Sequence, residues 1–551
     1  MHSQLERQRE RIHAIFFGVA IVVAALVAHG GCVRAIFYLD DWWQIVDSDF
    51  IETGKWWTAG ANALTCATYY LTWRIAGYSP QAFHLGNLLL HIGLALIVYR
   101  CSHVFWPDSL PDQKAAFRRL AGLGAIIFAV HPLTSEITHY ARARDHELVA
   151  LFSFLAAVCA ALWIRRGWRW FPALAICILA AALSKGPGIW HAMINVGIVL
   201  VCLSRVSDWR ARFPTRWWIY GSILFAEGVV AICREQVTNL LLLSVNQVRD
   251  WRFGWHLLTQ SRVIWRYAWR MIVPVRLCSD HLVAWTKSLA DVSAWVGLIG
   301  VILWIALTVW LWCRHRRFEA LLSAMILAPL LLRFGYVVSE LMVEYRTYPA
   351  MPWVGLLFAR VLLGYQFRWP KLTKAAALTI VLLFAALTHF RSRDWESVPA
   401  LTGNILAQYP LQLRAYNEKS SEDIRQGRYQ AVIARRDEFF GKLDQLLAIN
   451  RSDKLRYYDN WPLGVVCEDC NIADALLEIE GPEAARKALE GTARQMRGNN
   501  VKNDDLWALW HFSMGKTELR AGHAREADWH FDRIDPAFIS GRAVERAKLR
   551  K

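Results

Sequence analysis

The sequence predicts an all-α, polytopic membrane protein carrying a helical tail, and three observations predict it. Hydrophobic residues make up 55% of the 551 residues, and they fall in blocks of about 16 to 22, the length of a helix that crosses a bilayer. Lys and Arg cluster in the short segments between alternate blocks, the asymmetry expected of positive-inside topology. Beyond Phe390 the apolar blocks cease and charged helix-forming residues take over. A soluble protein of this length would divide into several domains. Here 1–390 is expected as a membrane unit and 391–551 as a soluble one.

The first block, Ala14 to Val33, follows Arg7, Arg9 and Arg11, which place the N-terminus in the cytoplasm. Its end, His29-Gly30-Gly31-Cys32-Val33, lacks the small-x-small pattern of a cleaved signal peptide, so it is expected to stay as the first span. Further spans are expected at 83–100, 119–133, 147–164, 170–184, 188–204, 217–234, 293–313, 318–333, 350–366 and 374–390, eleven in all. The clusters Lys114/Arg118/Arg119, Arg165/Arg166/Arg169, Arg205/Arg210/Arg212/Arg216, Arg314/Arg316/Arg317 and Arg368/Lys371/Lys374 then share the cytoplasmic side. The odd count puts the C-terminal tail outside. The formal charge of +17 is therefore a record of topology, and no nucleic-acid partner is expected.

Residues 256–277 are apolar but interrupted by Arg262, Arg266, Arg270 and Pro274. Counted as a span, they break the charge alternation downstream. They read as an amphipathic interfacial or re-entrant helix whose arginines reach the headgroups; the alternative is an additional span and a cytoplasmic C-terminus. Gly60 to Ile75 suits a second surface-lying helix. In the tail, helical runs at 472–479, 482–495, 506–520 and 524–534 are separated by Gly, Pro or Asn. Gly522-His523-Ala524-Arg525-Glu526-Ala527 matches the Gly-x-x-x-x-Ala step of tetratricopeptide repeats, without a strict period of 34 residues. Of the eleven cysteines most are single and within apolar segments. Cys467-Glu-Asp-Cys470 is the exception: a local disulfide is expected, with a redox pair or a metal site as the alternatives.

The chemistry-bearing stretch is Tyr38-Leu39-Asp40-Asp41-Trp42-Trp43, directly after the first span. An ionisable group beside hydrocarbon is costly and is by default a functional-site candidate. With this topology the other polar motifs fall on the same, non-cytoplasmic face. They are His84-x-x-Asn87-x-x-x-His91 on one helix face, His131-Pro132 with Glu136, Arg142 to His146, Ser184-Lys185, Asp280-His281, and Glu344-Tyr345-Arg346-Thr347-Tyr348. Each also has a plain structural reading: the His-Asn-His face as an interhelical seam, Lys185 as a snorkelling end-of-span lysine, Arg346 as an interface anchor. Together they describe one pocket of carboxylates, cations and aromatics at the membrane edge. A carboxylate can take a proton from an acceptor hydroxyl while cations stabilise a departing phosphate, the requirements of transfer from a phosphorylated lipid. No phosphate-binding glycine loop is present, against a nucleotide-driven pump. A flippase or transporter of lipid-linked glycan is the alternative, but it would place ionisable groups near mid-bilayer and show internal repeats, and neither is visible. No cofactor is expected, and a divalent cation is not indicated because metal-ligand spacing such as His-x-x-x-His is missing.

The ordered motifs, with Leu183-Ser184-Lys185-x-x-Gly188, Thr259-Gln260 to Tyr267, Pro274-x-x-Leu277 and Arg391-x-x-x-Trp395 among them, carry a family resemblance. The chain resembles the GT-C superfamily of polytopic glycosyltransferases, and within it the bacterial relatives of the TMTC-type O-mannosyltransferases. That resemblance implies inverting transfer of a sugar from a polyprenyl (undecaprenyl) phosphate carrier. The acceptor would be a protein hydroxyl, on a pilin for example, or a growing glycan, at the periplasmic face of a bacterial inner membrane. It implies an outer-loop aspartate as catalytic base, Asp41 first and Asp40 second. His131, Lys185, Arg346, Tyr348 and Arg144 are the candidates for the donor phosphate. His84, Asn87, His91, Glu136, Asp280, His281 and Glu344 are the candidates for shaping the site. Two departures stand out: His146 occupies the position where an acid is expected after Arg144, and Gly186-Pro187 follows the lysine in place of Glu-Gln.

Overall fold

The computed structural model describes residues 2–106, 114–203, 252–335, 340–365, 368–458, 461–498 and 504–534, with positions 539, 544, 547 and 548 beyond them. Within these residues the chain is all-α. The strands found there, β1 (Trp285–Thr286) and β2 (Arg456–Tyr457), are two residues each and pair antiparallel.

The chain opens with α1 (His2–His29), followed by a single turn α2 (Asp49–Glu52) and by α3 (Ala63–Ala76). α4 (Pro80–Cys101) carries Pro80 in its first turn, where no intrahelical N–H is required. α5 (Lys114–Val130) and α6 (Ser135–His139) meet at His131-Pro132 with a bend of 56°, since proline brings no N–H to the ladder. α7 (Arg144–Arg166) is buried almost all round, with Ala156, Ala157, Ala160 and Ala161 fully enclosed; small residues let its neighbours approach closely. α8 (Phe171–Ser184) and α9 (Gly188–Leu203) fold back over Lys185-Gly186-Pro187, where a Cβ on Gly188 would collide with the carbonyl oxygen of Ala181. Next come α10 (Arg252–Ile272), α11 (Val292–Cys313), α12 (Arg317–Leu331), α13 (Met351–Gly364) and α14 (Pro370–Arg391). The tail comprises α15 (Val398–Gln408), α16 (Leu413–Arg425), α17 (Tyr429–Ser452), α18 (Trp461–Ile479), α19 (Pro482–Gly498), α20 (Asp504–Arg520) and α21 (Ala524–Phe531).

Six described helical stretches are long and apolar enough to cross a membrane: Arg11–Arg34, Pro80–Phe105, Ala141–Arg166, Val292–Cys313, Arg317–Gly335 and Pro370–Trp395. The bent pair Ala116–Val130 and Pro132–His139 makes a seventh if it is one span. Eleven full-length spans are therefore not found among the described residues. The segments expected at 170–184, 188–204 and 350–366 form shorter helices, Trp168–Ser184, Gly188–Leu203 and Met351–Gly364. The one expected at 217–234 lies outside the described residues. Residues 252–272 form one unbroken helix that is not among the spans. It buries His256, Gln260, Val263, Ile264, Tyr267 and Met271 on one face and leaves Trp265 and Trp269 exposed on the other, an amphipathic arrangement.

α5 and α13 pack with their backbones close together. A Cβ on Gly124 would stand 2.9 Å from Leu356 Cδ2 and 3.0 Å from Leu356 Cα, and one on Gly355 would strike the carbonyl oxygen of Gly124. Glycine lets the two backbones touch, the small-residue packing that replaces the hydrophobic drive inside a bilayer.

In the tail, glycines in the left-handed region follow three of the helices: Gly427 (φ +70°), Gly481 (φ +96°) and Gly522 (φ +85°). A residue there needs φ > 0 to end a helix, which glycine adopts without a steric penalty. Ala527, at the far end of the Gly522 step, is buried beside Phe531. Cys467 and Cys470 sit one turn apart on α18 with both thiols free, so the expected local disulfide is not formed. Cys470 instead packs into the core with Val466, Leu489 and Trp510.

Glycine 355 gives a direct test of the α5–α13 contact. Gly355→Leu should lower the thermal stability of the detergent-solubilised protein by roughly 1–3 kcal/mol, the range of overpacking. Gly403→Ala, at a helical glycine with open space around its Cα, should leave it unchanged or slightly raised.

Candidate active site

The segment after the first span sets the geometry. Leu39 adopts φ +45°, a left-handed conformation uncommon for a non-glycine residue, and it turns the two adjacent carboxylates in opposite directions. Asp41 faces inward. Its Oδ2 accepts the backbone N–H of Tyr38 at 3.0 Å and its Oδ1 accepts the backbone N–H of Arg142 at 2.6 Å. Burial pushes its carboxyl up to about 8, against the pull of those two amides. Asp40 faces outward and is exposed. Its own N–H donates to Tyr140 Oη at 3.3 Å. Its side chain lines a polar cleft shared with Glu136, Tyr140, Glu340, Tyr345 and Arg414.

The cations stand along the same strip. Lys185, in extended backbone where α8 ends, donates from Nζ to Asp145 Oδ2 at 2.6 Å and lies 2.9 Å from His146 Nε2. Arg142 pairs with the same Asp145 oxygen. Burial lowers the Lys185 ammonium to about 8, and the charges of Arg142 and Arg346 add to that while Asp145 opposes it. The His146 ring is 4.8 Å from Tyr345, whose ring is 6.0 Å from Tyr140, and Tyr140 stacks on Trp395 at 6.0 Å. A run of aromatic rings thus joins the Lys185 end of the strip to the Asp40 end.

The Glu-x-Arg loop closes the other wall. Tyr345 N–H donates to Glu136 Oε2 at 2.8 Å. Arg346 Nη2 pairs with Glu340 Oε2 at 2.9 Å, and Arg414 reaches from the tail to Glu340 Oε1 at 2.6 Å and Asp280 Oδ2 at 2.7 Å. Burial alone would raise the Glu340 carboxyl, but the Arg414 and Arg346 guanidiniums hold it down to about 2. Glu344 is a brace. It accepts His281 Nε2 (2.8 Å) and Cys278 N–H (2.7 Å) on one oxygen, and Arg391 Nη2 (3.1 Å) on the other. His281 Nδ1 meets Tyr409 Oη of the tail at 2.9 Å. Among the described residues no group of three or more His, Cys, Asp or Glu is arranged to hold a metal ion.

Over 447 residues the chain is 18% identical to a protein O-mannosyl-transferase of Caenorhabditis elegans, covering 73% of this chain and 59% of that one. It is 26% identical over 153 residues to the human protein O-mannosyl-transferase TMTC1, and 27% identical over 171 residues to its mouse counterpart. Those two matches cover 24% and 27% of this chain and 16% and 17% of the relatives. The chain is similar to protein O-mannosyl-transferases. It spans at most 59% of the length of these relatives. No family model matches, and no solved structure matches.

The similarity to O-mannosyl-transferases does not bring every sequence-chosen residue to the cleft. Asp40 and Glu136 line it; Arg346 and Asp280 pair with its lining residues Glu340 and Arg414, and Lys185 stands behind His146, whose ring meets Tyr345. His84, Asn87, His91, His131, Arg144 and Tyr348 do not; they form buried seams between helices. His91 Nδ1 meets Tyr348 Oη at 2.7 Å and its Nε2 lies 3.2 Å from Ala129 O. His131 is engaged at both nitrogens, by Leu133 N–H (3.1 Å) and Met271 O (3.0 Å). Arg144 donates to Asn87 Oδ1 (2.7 Å), Phe83 O (2.7 Å) and Thr72 Oγ1 (3.0 Å), and packs over the Tyr69 ring at 5.0 Å. His84 is fully buried, 6.4 Å from the Phe37 ring. Tyr140, Tyr345 and Arg414 line the cleft without having been singled out from the sequence, and Arg142, two positions before Arg144, pairs with Asp145.

Asn87 tests the seam assignment. Asn87→Leu removes an amide acceptor of a buried guanidinium and should cost about 1.5–3 kcal/mol of stability, the range for a hydrogen bond to a charged group. Thr72→Ala, which removes one of several Arg144 partners, should cost about 1 kcal/mol. Thermal unfolding in a single detergent distinguishes the two.

Proposed function

We propose that this protein is an integral-membrane glycosyltransferase that moves a sugar, mannose by analogy with the names of its relatives, from a polyprenyl-phosphate carrier to a hydroxyl of a protein or glycan. The observation that carries this reading is the cleft itself: an exposed carboxylate at one end, and cations from separate segments of the chain at the other. On this reading 1–390 is the transferase unit, 391–551 the tail that helps to receive the acceptor, and the cleft opens on the periplasmic side of an inner membrane. A pilin-like acceptor and an undecaprenyl carrier both fit, since neither demands more than a hydroxyl and a lipid phosphate.

The geometry favours Asp40 over Asp41 as the base. Both Asp41 oxygens are committed to backbone amides and the side chain is fully buried, away from the cleft, so on this reading its role is to hold the loop. Asp40 is exposed to the cleft. As the acceptor oxygen attacks the anomeric carbon, its proton passes to Asp40 and the bond from that carbon to the phosphate oxygen breaks on the opposite side of the sugar. The configuration inverts, and polyprenyl phosphate leaves with an added negative charge. Lys185, Arg142 and Arg346 supply the compensating cations in a site where water is partly excluded, which is where such charges are worth most.

Asp40→Asn should lower kcat for transfer from polyprenyl-phosphate mannose by about 10²–10⁴-fold, the range for loss of a general base. Its melting temperature should stay near wild type, whereas Asp41→Asn should lower both. Full activity in both variants sinks the reading.

Lys185 makes a pH prediction. It carries its charge below about 8 and loses it above, so donor affinity, and with it kcat/KM, should fall as pH rises through that value. Lys185→Arg, which stays cationic throughout, should flatten that basic limb in a pH–rate profile.

A further inference from the structure

The amphipathic helix α10 has a second function available on the face turned away from the cleft. Its inner face carries Tyr267, whose hydroxyl donates to Val343 O at 3.0 Å, and Val343 lines the cleft. Its outer face, one end of the α11 span and strand β2 of the tail together form an open groove of about 470 Å³. Three guanidiniums enter it, Arg262 and Arg266 from α10 and Arg456 from β2.

Their charge is only partly balanced locally. The adjoining carboxylate is Asp291, 1% exposed, and it is saturated. Arg456 binds it through two contacts of 2.9 Å, and Thr286 Oγ1 and Ser293 Oγ also donate to it, at 3.2 and 2.6 Å. Asp453, near Arg456 in sequence, accepts the backbone N–H groups of Leu455 and Arg456 at 2.7 and 3.0 Å. Arg262 stands 4.0 Å from Asp291, gives Nη2 to Ala284 O at 2.7 Å, and has a buried Nε with no hydrogen-bond partner. Arg266 makes no side-chain hydrogen bond or ion pair among the described residues, and it is exposed. The floor is apolar and built from small residues: Gly300 lets the Trp265 ring lie against α11, with its Nε1 donating to Gly297 O at 3.0 Å, and Gly297 lets the α10 backbone at Ser261 approach. From Val296 that floor continues along the exposed side of α11 through Leu303 and Leu307, the surface a span presents to lipid.

We infer that this groove binds one acidic phospholipid of the surrounding bilayer, its phosphate between Arg262, Arg266 and Arg456 and its acyl chains along α11. Guanidiniums bind phosphate oxygens through paired, charge-assisted hydrogen bonds. A zwitterionic headgroup would bring an ammonium to a site whose carboxylate is already fully engaged. The lipid-linked sugar donor is a poorer occupant, because α10 itself separates the groove from Asp40. A lipid seated here would tie α10, α11 and the tail strand together and so fix the wall of the cleft from behind.

The test uses the full-length protein, delipidated in detergent, with binding read by native mass spectrometry and by melting temperature, neither of which depends on transferase activity. Phosphatidylglycerol should bind at one copy and raise the melting temperature; phosphatidylcholine at the same concentration should not. Arg266→Gln, a change at an exposed side chain, should weaken phosphatidylglycerol binding by about tenfold, equivalent to one lost charge-assisted contact, and shrink the thermal shift. Arg414→Gln, on the cleft side, should leave that binding unaltered. Equal shifts from both phospholipids, or an unchanged affinity in Arg266→Gln, overturn the proposal. So does tighter binding of polyprenyl phosphate than of phosphatidylglycerol in a manner sensitive to Arg266, which would make the groove a donor site.

Discussion

The arrangement of the site depends on one buried carboxyl, Asp41. By accepting backbone N–H groups from Tyr38 and from Arg142, it ties the segment after the first span to the start of α7. These residues lie about a hundred positions apart in the chain, and no side chain competes for the bonds. The clamp fixes the Leu39 turn, and the turn points Asp40 outward. It also fixes Arg142, so the pairing of that residue with Asp145 and the reach of Lys185 toward Asp145 follow from the same contact. A left-handed leucine costs on the order of 1–3 kcal/mol and persists only where its surroundings enforce it. Here two amide hydrogen bonds to one enclosed carboxyl do so.

The cations divide by the same logic. Arg144 is nearly inaccessible and finds carbonyls, an amide oxygen, a hydroxyl and an aromatic face within reach. A buried charge so completely satisfied has nothing left to offer a ligand, and removing a partner would be costly. Arg142, Lys185 and Arg346 are each paired with a carboxylate at the cleft wall and keep part of their surface open. A phosphate can replace or share such partners. The histidines fall with Arg144: His91 and His131 are hydrogen-bonded at both ring nitrogens and hold helices together.

Much of this was legible in the sequence, and the part that was not has physical causes. The spans, the amphipathic character of 252–272 and the return at Lys185-Gly186-Pro187-Gly188 follow from apolar periodicity and turn chemistry, which are local. The adjacent carboxylates marked the site, but which one faces the cleft depends on the φ of Leu39, and no pattern in the residues encodes it. Arg142 and Arg144 are two positions apart at the start of one helix, so pattern alone cannot say which one meets Asn87 across the α4 contact. Arg414 had no sequence signal, because its partners Asp280 and Glu340 come from distant segments and meet only when the tail docks. The number of spans is harder to read from the residues, because a helix of 14 or 16 residues such as α8 or α9 looks like a full block when flanked by tryptophan or glycine.

The tail makes the balance of charge in the cleft workable. Arg414 and Arg346 both hold Glu340, one from the tail and one from the 344–350 turn, and together they keep it ionised at any physiological pH. On the proposed reading, a donor phosphate would draw Arg346 away from Glu340. Were Arg346 its sole partner, that exchange would leave a half-buried carboxylate without a cation. With Arg414 still in place, Glu340 keeps a partner while Arg346 turns to the phosphate. Arg425, packed 5.0 Å from the Trp42 ring, and Tyr409, bonded to His281, anchor the tail on either side of that exchange. The docked tail is therefore what would let a wall cation serve both as a structural ion pair and as a ligand for phosphate.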